Sequence, residues 1–158
     1  MNRFWDLLEA TPGIKAHRPP KGEGTMGGWY SAKGIYKPEE LGGLPIELFL
    51  KALKAEGVSS GAGANQPMHL HPLYNDVDVY GDGVPTRIAG AADGRADVRY
   101  EPLPDTERSV NEIFAVPWFK KDEVAAIEMY ANAFKKVRAG LAHIVDFVLQ
   151  GCSARKEH

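Results

Sequence analysis

The sequence predicts an α+β fold, a small and mainly antiparallel sheet with helices packed on it. Three observations lead there. Segments 44–57 and 121–150 carry apolar residues at helical spacing. Four short stretches bounded by turn residues, 13–18, 29–36, 57–61 and 112–119, read as strands. The first two strands are separated by only about ten residues, which favours an antiparallel pair over a crossover.

In chain order, a short helix opens the sequence with Phe4, Leu7 and Leu8 inward, and Thr11-Pro12-Gly13 ends it. Phe4 and Trp5 lie on adjacent faces, more than one short helix easily buries. An exposed apolar surface is therefore expected there, and such surfaces mark partner sites. Strands 13–18 and 29–36 follow. The next helix, 44–57, is the clearest element: Pro45 suits its first position, and Gly57 is a natural residue just past its end. Ile46, Phe49, Leu50 and Leu53 fall at i, i+3, i+4 and i+7. Burying each such side chain contributes roughly 1.5–3 kcal/mol before entropy is charged.

After the strand at 57–61, residues 75–106 lose any period and are rich in Gly, Pro and Asp. A stretch of this length is usually functional or mobile. A short turn of helix is expected at 105–112, then the strand 112–119. In the last helix Asp122 is the expected N-cap, and Val124, Ile127, Ala131, Phe134 and Val137 form the inner face. Gly140 costs about 1 kcal/mol against alanine, so the helix is expected to bend or break there. Leu141, Ile144, Val145 and Val148 continue the apolar set beyond it.

The bulk properties narrow the function classes. The chain has 158 residues, 44% hydrophobic and 25% charged, which suits a single domain spanning 1–158. A lone cysteine, Cys152, excludes an internal disulfide and fits a reducing compartment. A net charge of −2 without a basic stripe argues against a nucleic-acid partner. No apolar run approaches the ~18 residues of a membrane span, and the N-terminus lacks the apolar region of a signal peptide. The expected location is the cytoplasm, with no membrane partner.

Among motifs, Asn65-Gln66-Pro67-Met68-His69-Leu70-His71-Pro72-Leu73-Tyr74-Asn75 stands out. In an extended segment His69 and His71 point the same way. Zinc needs three or four ligands, and no second pair occurs at a recognisable spacing, so no metal is expected. A stiff surface loop and a pocket edge both remain open. Gly61-Ala62-Gly63-Ala64 follows a strand but precedes no helix, so it lacks the terminus that holds an anion. Asp76, Asp78 and Asp82 lack the late glutamate of a calcium loop. Ser59 and Ser60 sit in no nucleophile elbow.

The order of segments is informative. Leu7-Leu8-Glu9-Ala10-Thr11-Pro12-Gly13-Ile14 leads to a glycine-rich turn and then Trp29-Tyr30-Ser31-Ala32-Lys33-Gly34-Ile35-Tyr36. The helix ending Leu53-Lys54-Ala55-Glu56-Gly57-Val58 comes next. Pro67-Met68-His69-Leu70-His71-Pro72-Leu73-Tyr74 follows, then the acidic turn Asp105-Thr106-Glu107-Arg108, a strand and a long helix. Over about residues 3–140 this resembles the C-terminal small domain of the pyridoxal-phosphate-dependent sugar aminotransferases, the DegT–StrS family, nearest the inosose and aminodeoxy-sugar branch. That is a small domain of the fold-type I aminotransferases. His69 matches the family histidine, His71 takes a variable position, and Asp105-Thr106 stands where the family turn has alanine.

The resemblance implies a substrate-side domain or split half, with Asn65, His69, His71 and Tyr74 facing a sugar or cyclitol. The family's Schiff-base lysine sits in a large domain this chain does not contain. Lys21, in Lys21-Gly22-Glu23-Gly24, lies after the Pro-Gly-Ile turn and is not its equivalent. The implication is that this chain binds no cofactor alone and has no catalytic residue. Pyridoxal phosphate belongs to the complete enzyme, and the partner is a complementary large domain or a second copy. The other reading is a stand-alone binding or interaction module that kept the fold without the chemistry.

Overall fold

The computed structural model describes residues 1–24, 28–86 and 102–154, the last helix beyond Leu141 as backbone. In chain order the elements are α1 (Asn2–Leu8), β1 (Ile14–Ala16), β2 (Lys33–Tyr36), α2 (Ile46–Ala55), β3 (Gly61–Ala62), α3 (Pro72–Asn75), α4 (Pro104–Glu112), β4 (Ile113–Ala115) and α5 (Val124–Ala154). Single 3₁₀ turns lie at Pro38–Leu41 and Met68–Leu70. The chain forms two compact units, one of residues 1–63 with 111–158, the other of residues 64–110.

The first unit holds the sheet. Its order is β1-β2-β4-β3, with every pair antiparallel. Ile14 pairs with Tyr36, Gly34 with Phe114, and Phe114 with Ala62. The fold is thus the expected α+β arrangement. Its strands are shorter than their apolar stretches suggest, because only a few residues of each find a ladder partner.

Period 2 along the strands buries Ile14, Gly34, Tyr36 and Phe114 on one face. The rings there interlock. Phe49 of α2 meets Tyr36 at 5.1 Å, Phe114 at 5.6 Å and Phe134 of α5 at 6.0 Å between centroids. The Tyr36 hydroxyl donates to the Leu44 carbonyl at 2.9 Å, so its polar end is satisfied inside the core.

Helix α2 shows how local chemistry sets an element. Ile46, Phe49 and Leu53 are buried, and Leu50 is half-buried. At its end Gly57 adopts φ +79°. The Gly57 N–H donates to Lys54 O at 3.0 Å and the Val58 N–H to Leu53 O at 3.0 Å. These two bonds form the Schellman closure, and Val58 and Leu53 are both buried beside it.

Four expectations need correction. Phe4 and Trp5 are both buried, at 0% and 1% exposure. Helix α1 is covered on two sides: Phe4 packs on Phe134 and Phe119, while Trp5 reaches Gly34 of β2, which has no side chain to block it. The indole N–H of Trp5 is buried without a partner, a cost of about 1–3 kcal/mol for that fit. Asp122 does not cap α5; its carboxylate takes both prongs of Arg3 at 2.9 Å. Val124, at the helix start, is 42% exposed because the inner stripe begins at Ile127. The helix runs through Gly140 without a break, Leu141 beyond it being buried. Ile144, Val145 and Val148 lie beyond the described side chains.

Candidate functional site

The second unit contains the histidine segment. Two prolines shape it, though not into the extended run the sequence suggests. Pro67 opens the 3₁₀ turn Met68–Leu70, and Pro72 occupies the first position of α3, where a missing N–H costs nothing. His69 therefore sits within a turn and His71 at a helix N-cap. The Leu73 N–H donates to His71 Nδ1 at 3.1 Å, satisfying an orphan donor of α3. The Tyr74 ring stands edge-on to the His71 ring, centroids 6.4 Å apart.

His69 is engaged differently. Its Nε2 lies 2.9 Å from Glu107 Oε1 in α4, and the His69 side chain is only 8% exposed. The same carboxylate oxygen accepts the Leu103 N–H at 3.0 Å, tying it to the start of α4. Asn75 closes the turn from the other end. Its Nδ2 donates to the carbonyls of His69 at 2.9 Å and His71 at 3.1 Å. Asn65 is exposed. The structure thus joins His71 to Tyr74 and His69 to Glu107, and gives the two imidazoles separate tasks.

Residues 76–85 form turns and bends without helix or strand. Asp78 latches them: its carboxylate accepts the N–H groups of Gly81 at 2.7 Å, Asp82 at 3.1 Å and Gly83 at 2.7 Å. The Gly83 N–H first, and those of Gly81 and Asp82, hold its pKa below the usual carboxylate range. That carboxylate is occupied by its own backbone. No group of three or more His, Cys, Asp or Glu that could hold a metal exists among the described residues. The expected helix at 105–112 is present as α4, and residues 87–101 of the expected 75–106 loop lie outside the described residues.

Burial in this segment runs opposite to that of a self-contained surface loop. Met68, Leu70, Leu73, Val77, Val79 and Tyr80 are all exposed, at 44–69%. The polar groups of His69, Asn75 and Asp78 instead hold the backbone and one another. A framework of hydrogen bonds thus presents a set of apolar side chains outward.

Glu107 titrates with folding. Its carboxyl lies below the ordinary range, first through the His69 hydrogen bond and next through the Leu103 N–H. The folded pKa is below the unfolded one, so this contribution is fully present above the unfolded value, about 4.3. It is lost as pH falls through the depressed folded value. Glu107→Gln abolishes that dependence. Between about pH 5 and 3 the variant should lose less stability on acidification than the parent chain, in urea titrations at each pH. Equal losses would show the carboxylate to be uncoupled from folding.

Among the described residues no lysine has the setting a Schiff-base cofactor needs. Such a lysine must give up its proton readily, which burial promotes. Among the described residues no lysine is buried, and Lys21 is exposed. Lys15 pairs with Glu40 at 3.2 Å, Lys37 with Glu112 at 3.5 Å and Lys136 with Glu56 at 2.8 Å. A cleft of about 720 Å³ lies elsewhere, between α1 and β1. Its Arg18 is paired to Asp6 at 2.6 Å and its Lys15 to Glu40.

The Glu107 and Asn75 contacts were not legible in the sequence. Glu107 lies 38 residues from His69, and no local pattern pairs them. Asn75 directly after Pro72-Leu73-Tyr74 carried a weak local hint, since Asn side chains often bond nearby backbone. No helix among the described residues is long and apolar enough to cross a membrane. No protein-family model matches the chain, and no curated protein matches it.

Proposed function

We propose that this chain is the substrate-side small domain, or split half, of a pyridoxal-phosphate-dependent sugar or cyclitol aminotransferase of the DegT–StrS type. It works in the cytoplasm with a complementary large domain that brings the cofactor. The observation that carries the reading is the outward apolar set around His69. Asn75 holds the backbone that carries Met68, Leu70 and Leu73, Asp78 holds the turn after Tyr80, and all four apolar side chains are exposed. Such a set suits a surface that another domain covers. The His69–Glu107 bond adds support, because it ties together two of the segments that carry the family resemblance. In this reading the chain binds and orients the sugar or cyclitol and helps exclude water, and the large domain supplies the electron-withdrawing cofactor.

Two measurements on the purified chain test the proposal together. Pyridoxal phosphate alone should give no saturable band at ~400–430 nm, where such imines absorb, for want of a suitable lysine. Mixed with a cofactor-loaded large domain of a DegT–StrS enzyme, the chain should form a complex and support amino transfer to a keto-cyclitol or keto-sugar. A lysine-dependent band in the chain alone would sink the reading. So would a monomer at every concentration in sedimentation, with no binding to any large domain tried.

A further inference from the structure

The two histidines expose opposite hydrogen-bonding characters. His71 uses Nδ1 to accept the Leu73 N–H, so its proton sits on Nε2, a donor. His69 is arranged the other way round. Its Nε2 faces Glu107 Oε1 at 2.9 Å. A carboxylate can only accept, so the proton between them belongs to Nε2. Glu107 is held in its charged form by that bond and by the Leu103 N–H. His69 Nδ1 makes no hydrogen bond among the described residues. The buried side-chain nitrogens without partners there are Trp5 Nε1 and Arg138 Nε; His69 Nδ1 is not one of them and keeps contact with solvent.

The ring cannot easily turn over. At one end Glu107 is anchored to the start of α4 by its second bond. At the other, Asn75 Nδ2 bonds the His69 carbonyl at 2.9 Å and fixes the backbone from which the ring projects. With a side-chain exposure of only 8%, the His69 ring is packed closely enough to resist rotation.

We propose that Glu107 is a positioning residue: it locks His69 with Nδ1 outward, as the acceptor for a hydroxyl of a polyhydroxylated ligand. The Nε2–H of His71 supplies a donor of the complementary kind. A hydroxyl both donates and accepts, so a polyol matches an acceptor and a donor better than an anion or an apolar ring does. The inference rests on the reading of this segment as a substrate wall, and it adds Glu107 and the protonation pattern of both rings.

The experiment is long-range ¹H–¹⁵N spectroscopy of the labelled full chain at about pH 8, above the ordinary histidine range. His69 should show a protonated Nε2 and an unprotonated Nδ1. Glu107→Gln, whose amide donates as well as accepts, should mix the two tautomers. Glu107→Asp, which keeps the charge but withdraws it by one methylene, should do the same. Backbone amide spectra establish that each variant folds. Adding myo-inositol should move the Nδ1 resonance in the parent chain and leave it unmoved in Glu107→Gln. The inference is overturned by a parent chain protonated at Nδ1, by folded variants with an unchanged tautomer, or by an Nδ1 resonance indifferent to inositol. The readout needs neither pyridoxal phosphate nor a large domain, so its failure is distinct from a failed reconstitution.

Discussion

Phe49→Ala lowers the unfolding free energy by about 3–5 kcal/mol, the range for truncating a buried aromatic. That is a large share of the roughly 5–15 kcal/mol available to a domain. Phe49 is fully buried, and its ring touches three others from three different elements: Tyr36 on β2, Phe114 on β4 and Phe134 on α5. Neighbours belonging to separate elements cannot all collapse into the space, so the cavity term stays large. A second readout is available in Tyr36, which stacks on Phe49. Burial first, and Glu47 next, push its hydroxyl pKa up to about 12. Opening the site to water should bring that titration back toward the ordinary value, followed by ultraviolet absorbance. A urea midpoint within error of the parent chain would show that the buried face of α2 has been misassigned.

Gly34→Val is expected to destabilise by about 1–3 kcal/mol, the cost of overpacking a filled core. A side chain at this position of β2 runs into two aromatic rings. The Cβ position is taken by Phe114 Cζ and Cε1 and, at 2.7 Å, by Trp5 Cη2. Neither ring is the free end of a flexible chain, since both residues are buried. Gly61→Ala, on edge strand β3, is the control. Nothing lies within 4 Å of a Cβ built there, and its backbone is not left-handed. It should stay within about 0.5 kcal/mol of the parent, as for a surface change. Thermal denaturation of the two variants separates the cases. Equal melting temperatures would mean that the Trp5–Gly34 contact does not constrain the core.

The candidate site was legible only in part. Residues 65–75 could be singled out because prolines, histidines and a tyrosine are concentrated there. Their geometry could not. Proline restricts its own φ and its predecessor's conformation, which is compatible with an extended run or with a turn. The Asn75 amide and the Glu107 carboxylate stabilise the turn, one from the end of the segment and one from 38 residues away. The burial of Trp5 is hidden from the sequence for a related reason. A helical wheel shows which residues share a face, not how many elements will cover that helix.

Helix α2 with its inward stripe and its stop at Gly57, the existence of α1, α4 and α5, and the antiparallel α+β class are all readable from local sequence. Each rests on interactions within a few residues: the 3.6 period, the left-handed glycine, the short link between β1 and β2. Tertiary structure decided where each strand ends, which face Trp5 turns to, whether Asp122 caps a helix or holds Arg3, and how His69 is oriented. Those outcomes depend on partners far away in the chain. Burial and hydrogen bonding reward whichever groups the fold brings together, and no local pattern records them.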